Sequence, residues 1–392
     1  MKIQSRAVHS GDRKKAGPQI PVSTPIQTAA SYFYDTTEQL DKVFAFEVPG
    51  YAYQRYDNPT NGALEELLTA LEGGRGSLAT ASGMAALEIS LRVATMNRPK
   101  VILAADALYG ATIKLLNQYL VPLGFAVHYQ NFCDLDAVGR AIAETWPGCL
   151  LMETISNPLL RVTPLDRIAE MSRAAGAALV VDNTFATPLL VRPLELGANF
   201  SVNSLTKYLA GHGDVLGGSV TSDADHYDAL RATARVTGPL LGPFEAFLAM
   251  RGVKTFPLRM ERQCENAVKV AAYLNRHSRV ERVFFPGDPA HPDAEVIGRL
   301  LPAGQFGAMV SFEIRDASRS DVFGFMDRLK MIVRATSLGD VHSMLLYPWM
   351  SSHRDVPPEQ KARVGIRENL VRLSVGIEAE EDIIADLEQA LG

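Results

Sequence analysis

"CLLMET" (Cys149–Thr154), "PLDRIAEMSRAAG" (Pro164–Gly176) and "ALVVDN" (Ala178–Asn183) decide the fold. The first and third are short runs, apolar at every position until an acid closes them. Strands with one wet face alternate polar and apolar residues, so continuous runs imply strands covered on both faces, as in parallel sheets. The stretch between them reads as a helix stopped by Gly176, and strand–helix–strand is a βαβ unit.

The same alternation runs outward in both directions. "NGALEELLTALEGG" (Asn61–Gly74) has helical spacing, with Asn at its start and Gly at its end. "GSLATASG" reads as strand and turn, "MAALEISLRVA" as helix and "KVILAAD" as strand. "YGATIKLLNQYLVPLG" (Tyr109–Gly124) reads as one helix, "FAVHYQ" as a strand and "DLDAVGRAIAETW" as a helix. "FSVNS" and "GGSVTS" add short strands. Residues 222–280 read as largely helical, with "ENAVKVAAYLNRH" a long connecting helix. "RVFFP", "AMVSFEI", "SDVFGFMDRLK" and "NLVRLSVG" then alternate strand and helix, before a last helix "EEDIIADLEQAL". The expectation is an α/β protein: a large domain with a mostly parallel sheet covered by helices, over 61–250, and a smaller α/β or α+β domain over 251–392. Residues 1–60 lack periodicity and are rich in proline and aromatics. So long a structureless arm is uncommon inside a compact domain and is expected to lie over a second subunit.

The totals bound the function. A chain of 392 residues fits two or three domains, and 47% hydrophobic with 21% charged residues is an ordinary globular balance. Net charge −5 gives no electrostatic reason to expect nucleic acid or an anionic membrane. No apolar run has the length of a membrane span or the form of an export signal, and three scattered cysteines suit a reducing compartment. A cytoplasmic protein without metal-ligand spacing is the expectation.

Open parallel sheets bind ligands beyond the carboxyl ends of their strands. Ser82, Gly83 and Met84 follow "GSLAT" and open a helix, a place where backbone N–H groups and the helix dipole favour an anion. A plain N-cap is the alternative. The G-x-G-x-x-G spacing of nicotinamide binders is absent there. Asp182 follows "ALVV", Glu153 and Asn157 follow "CLLM", and Ser204, Thr206 and Lys207 follow "FSVN". A lysine amine forms a Schiff base with an aldehyde cofactor. Pyridoxal 5′-phosphate (PLP) also needs an acid beside its ring nitrogen and an anion site for its phosphate. Lys207, Asp182 and the Ser82–Met84 turn would supply these, with Ser204 and Thr206 reaching the phosphate. A single lysine is ordinarily a solvated surface charge, and it is the joint pattern that argues for chemistry.

With those residues in hand, the sequence resembles the PLP-dependent enzymes of cysteine and methionine metabolism: cystathionine γ-synthase, cystathionine γ-lyase, methionine γ-lyase and relatives. The resemblance rests on "YQRYDNPT", "ATASGMAA", "LYGAT", "VVDNTFATP", "SLTKYLAGHGD", "RGVKT", "SLGD" and "VRLSVGIE", and its motifs lie nearest methionine γ-lyase. It implies PLP fold type I. It implies Lys207 as the cofactor lysine and proton shuttle, and Asp182 as partner of the ring nitrogen. Gly83 and Met84 become backbone phosphate binders, Tyr109 the ring-stacking proton donor, and Tyr53 and Arg55 ligands of a neighbouring subunit's phosphate. Arg372 becomes the clamp on the substrate carboxylate, with Ser337 and Asn157 in support. Plainer roles exist: arm packing for Tyr53, a surface ion pair for Arg372, a helix cap for Tyr109. The family commonly assembles as a homotetramer of catalytic dimers.

The implied reaction is γ-elimination, giving 2-oxobutanoate, ammonia and a thiol, with γ-replacement as the alternative. Relatives acting on cystathionine tend to carry an acid before "SLG", where this chain has Thr336. Methionine γ-lyases usually carry a cysteine where Ala111 stands, and Arg235 departs from an expected Lys-Asp pair. The reading is therefore methionine or a related thioether. Tyr347, Trp349 and Met350 are candidates either for pocket lining or for core and interface packing. A regulatory α/β protein without catalysis would be favoured by loss of Lys207 or Asp182, and both are present.

Overall fold

The computed structural model describes residues 1–14, 18–354 and 358–392. The opening βαβ unit forms as read, with strands Cys149–Glu153 and Ala178–Asp182 parallel and a helix over Leu165–Ala174 between them. The large sheet has seven strands: β1 (Gly76–Thr80), β2 (Val101–Ala105), β3 (Ala126–Gln130), β4 (Cys149–Glu153), β5 (Ala178–Asp182), β6 (Phe200–Ser204) and β7 (Gly218–Ser222). Their order is β1-β7-β6-β5-β4-β2-β3, and all pairs are parallel except those of β7, which runs against β1 and β6. Strands β2 to β6 therefore end on one edge. Glu153 lies directly opposite Asp182 there, in register across β4 and β5.

The second sheet has the order β10-β11-β12-β9-β8, with β8 (Val280–Phe284), β9 (Met309–Ile314), β10 (Val333–Arg334), β11 (Met344–Leu346) and β12 (Leu370–Ser374). It is antiparallel except for β10 with β11. It has its own core, in which Phe312, Phe325, Leu345, Leu373 and Leu387 are fully buried. Helix Phe256–Leu274 joins the two halves: Met260 and Cys264 belong to the first core, Ala267, Val270 and Leu274 to the second. Among the described residues, no helix is long and apolar enough to cross a membrane.

The structure departs from the sequence reading in three places. Residues 1–60 contain two short helices, Ile3–His9 and Thr37–Phe44, the second capped by the Thr36 hydroxyl accepting from Gln39 N at 3.2 Å. Each is too short to show a period. Elsewhere among the described residues of the arm, large apolar side chains are open, with Val22 82% and Phe33 91% exposed. The single helix expected over Tyr109–Gly124 is instead α over Gly110–Lys114, π over Leu115–Leu120 and a 3₁₀ turn over Val121–Leu123. Pro122 lacks the N–H an α-helix needs, and Gly124 ends the segment at φ +85°. Strands β10 and β11, two and three residues long, are too short for any pattern.

Candidate active site

A cavity of about 450 Å³ opens at the carboxyl edge of the large sheet, where the second sheet's loops approach. Its wall includes Ser82, Gly83, Met84, Tyr109, Asn157, Asp182, Ser204, Thr206, Lys207 and Arg372. Ser337, on the loop between β10 and β11, joins them through Lys207, whose Nζ donates to Ser337 Oγ at 2.9 Å. Tyr53 and Arg55 do not reach this cavity. The Arg55 guanidinium donates to the carbonyl of Arg235 and lies over the rings of Tyr53 and Tyr56, 5.5 and 5.0 Å from their centroids.

Lys207 sits within Leu205–Leu209, a helical segment that it interrupts with φ −91° and ψ −136°. The segment is pinned from below. Buried Arg259 donates to the carbonyls of Tyr208, Leu209 and Gly252 at 2.8, 3.0 and 2.9 Å. This is what the following glycine is for: Gly211 has φ +67°, and a Cβ there would lie 1.9 Å from Arg259 Nη1. Burial, followed by the nearby Arg372 charge, lowers the Lys207 pKa to about 8.

Helix Gly83–Ala94 begins at the cavity. Ser82 caps it, its hydroxyl accepting from Ala85 N at 3.1 Å. The N–H groups of Gly83 and Met84 belong to the first turn, which has no intrahelical acceptors to offer them. Strand β7 approaches so closely that a Cβ on Gly218 would lie 2.2 Å from the Ser82 carbonyl oxygen. The Thr206 hydroxyl both accepts from Gly217 N at 3.0 Å and donates to its carbonyl at 3.2 Å, closing that turn.

Asp182 is half-buried at the end of β5. Burial raises its pKa, opposed by Thr184, whose N–H donates to Oδ1 at 3.0 Å. Among the described residues no cation pairs with it. Arg372, on β12 and 3% exposed, donates from Nη1 to Asn157 Oδ1 at 2.9 Å and from Nη2 to the Ser337 carbonyl at 3.4 Å. Its Nε is buried without a partner, and burial lowers its pKa to about 10. A buried cation and a half-buried acid that lack counter-charges in one cavity, among the described residues, are costly unless a ligand answers both. A zwitterionic amino acid and a cofactor with a protonatable ring nitrogen and a phosphate have the complementary groups. By this test the donor set fits PLP.

Several lining residues were not singled out from the sequence: Thr184, Phe185, Leu216, Leu338, Leu346, Ser351 and Ser352, with Glu153 noted only by position. Thr184 and Phe185 directly follow Asp182, so the strand-end rule reaches them. No local signal marks Ser351 or Ser352, which arrive on a loop. That loop also answers the question left open about its aromatics. Tyr347 is fully buried, its hydroxyl donating to the Glu368 carbonyl at 2.7 Å, and Trp349 and Met350 pack on the second core. All three are packing residues, and their serine neighbours line the cavity instead.

Comparison with known proteins agrees with this geometry. The family model for Cys/Met metabolism PLP-dependent enzymes matches residues 4–392. An L-methionine gamma-lyase of Fusobacterium nucleatum subsp. polymorphum is 38% identical, covering 99% of this chain and 98% of that protein. A cystathionine gamma-lyase of Bacillus subtilis is 37% identical over 100% and 99% of the two chains. The crystal structure of a cystathionine gamma synthase from Xanthomonas oryzae pv. oryzae, in complex with aminoacrylate and cysteine, superposes with TM-score 0.92 at 34% identity, covering 100% and 98%. The fold and its site define a PLP-dependent enzyme of fold type I. The chain belongs to the Cys/Met metabolism PLP-dependent family, and its cofactor is pyridoxal 5′-phosphate.

Proposed function

We propose that this enzyme performs γ-elimination on methionine or a related thioether amino acid, releasing 2-oxobutanoate, ammonia and a thiol. One observation carries the choice of substrate. Among the described residues, the cavity pairs a buried arginine with an uncharged wall of Thr336, Leu338, Leu346 and Phe185, its two acids, Glu153 and Asp182, lying at the ends of β4 and β5. An apolar thioether tail suits that wall, whereas the distal ammonium of cystathionine would meet no counter-charge on it.

The chain's own groups divide the work. Arg372, steadied by Asn157, grips the substrate carboxylate with a planar fork. Lys207 holds the cofactor. As a free amine it would take the proton from the α carbon, and a pKa of about 8 suits a base working near neutrality. Ser337, hydrogen-bonded to Nζ, fixes where that amine points. Tyr109 delivers a proton to the departing sulfur. Asp182 would pair with the ring nitrogen, while the N–H groups of Gly83 and Met84, with the hydroxyls of Ser82, Ser204 and Thr206, would take the phosphate, Thr206 by turning its hydroxyl from the Gly217 carbonyl. Bound PLP supplies the electron sink for charge developing at the α carbon.

Tyr53 and Arg55 are proposed to complete a neighbouring subunit's phosphate site, which makes a dimer the least catalytic unit and a homotetramer the assembly. The supporting observation is that they point away from their own chain's cavity while lying on an open arm. The proposed division is an arm over 1–60, a PLP-binding domain over 61–250 and a C-terminal domain over 251–392, in a cytoplasmic protein. The test is direct: holoenzyme is given L-methionine or L-cystathionine separately, and 2-oxobutanoate and free thiol are assayed. Methanethiol and keto acid from methionine are expected. Keto acid from cystathionine alone would overturn the argument from Thr336, and, in parallel tubes with an added thiol, a new thioether without keto acid would assign γ-replacement.

A further inference from the structure

We propose that Glu153 is a positioning residue that fixes Tyr109 and the Asn157–Arg372 pair relative to one another. Glu153 ends β4, is 6% exposed and lines the cavity beside Asp182. Its two oxygens serve two different loops. Oε1 accepts from Tyr109 N at 2.6 Å, on the connection after β2, and Oε2 accepts from Asn157 N at 3.0 Å, on the connection after β4. Asn157 in turn accepts from Arg372 at 2.9 Å. One carboxylate thus ties the proton donor at one side of the cavity to the carboxylate clamp at the other.

The chemistry demands this residue type. Both backbone partners are donors, so both side-chain oxygens must accept, which a carboxyl group does on each side and an amide on only one. Burial and the neighbouring Asp182 charge push its pKa up, and the two N–H groups oppose them. Asp182 alone would serve a ring nitrogen, so a second acid placed this close needs its own reason. The two N–H groups provide it. Glutamine at 153 would present an amide NH₂ to one of the two donors, and aspartate would be a methylene too short to reach both. Either change lets one loop drift, and drift of ~1 Å costs a rate up to about 100-fold.

This rests on the assignment of Tyr109 and Arg372 above, and the experiment separates the two. Glu153→Gln, Glu153→Asp, Arg372→Lys and wild-type holoenzymes are compared for PLP content, for affinity for glycine by absorbance titration, and for kcat and its pH profile. Glycine carries a carboxylate and no γ leaving group, so it reads the Arg372 clamp without turnover. Glu153→Gln is expected to keep its PLP, to bind glycine about tenfold more weakly and to lose 10- to 100-fold in kcat with a displaced pH profile. Glu153→Asp is expected to lose less of both, and it decides the matter if the glutamine variant does not fold. A lowered melting temperature with glycine affinity and kcat within about twofold of wild type would make Glu153 a folding residue only and overturn the proposal. Unchanged glycine affinity in Arg372→Lys would instead bring down the assignment of the clamp, and this proposal with it.

Discussion

The two sheets deliver residues to the same cavity by different geometries. In the large sheet, β4, β5 and β6 are parallel neighbours, so the residues that end them, Glu153, Asp182 and Ser204, converge on one edge by topology alone. In the smaller, mostly antiparallel sheet no such edge exists. Arg372 comes from the middle of β12, between β11 and β9, and Ser337 and Thr336 come from the loop joining β10 to β11. The difference is one of labour. The parallel edge supplies the groups proposed to hold a rigid cofactor. The second sheet supplies those proposed to meet the substrate, the part in which relatives differ.

If that division holds, the largest loss must come from the parallel edge. Lys207→Ala is expected to lower kcat by about 10⁴-fold or more, since it removes both the covalent tether and the base. Its absorbance before substrate is added should lack the band of lysine-bound cofactor. Persistence of that band would displace Lys207 from the centre of the site. Next in size is a change on the second sheet. Arg372→Lys keeps the charge but loses the fork, and KM is expected to rise about 100-fold, close to 3 kcal/mol, with PLP content unchanged. Loss of PLP in that variant would blur the division between the sheets.

A smaller effect tests a third region, the arm. Arg55→Ala is expected to weaken PLP binding about tenfold, the scale of one charge-assisted hydrogen bond to a phosphate, measured by cofactor release on dilution. Unchanged affinity would return Tyr53 and Arg55 to the aromatic cluster they form within their own chain, where Arg235 also lies 4.2 Å from the ring centroid of Phe46.

The same contrast explains what could be read from sequence. An apolar run closed by a polar residue is a local pattern, and in a parallel sheet it also gives a position. Asp182, Ser204, Lys207 and the Ser82–Met84 turn were legible for that reason. Arg372 lies inside the apolar strand Leu370–Ser374, where spacing alone gave it no role, and it was found only through a family resemblance. The serines at 351 and 352 escaped altogether, because their place depends on how the loop joining β11 to β12 reaches over to Gly110 in the large domain. So did the reason for Glu153: the N–H it accepts from is 44 positions away, and a backbone donor leaves no trace in residue identity. The π segment after Tyr109 was misread for a related cause, since helical spacing does not distinguish α from π geometry over six residues.

The smallest effect at neutral pH concerns His353, on the loop joining β11 to β12. It is buried, its Nδ1 lies 2.9 Å from Ser352 Oγ, and the charges nearest it are Arg372 and Lys361. Burial first, then Arg372, lowers its pKa to about 4. The sign follows from comparing folded and unfolded chains. Above the ordinary value of 6.5 the imidazole is neutral in both, and folding gains or loses nothing from it. As pH falls below 6.5 the unfolded chain takes up a proton that the folded one refuses, so stability declines until about pH 4, by about 3 kcal/mol in all. Buried Glu65 and Glu72, whose pKa values burial raises to about 7, work in the opposite direction over part of that range. The informative quantity is therefore a difference between variants. The urea midpoint of wild type should fall relative to that of His353→Gln as pH is lowered from 6.5 to 4, and the two should run parallel above 7. A constant difference at every pH would mean that the loop is held by shape rather than by a neutral imidazole. The domains would then meet at this point through packing alone, and the second sheet's approach to the cavity would be independent of pH.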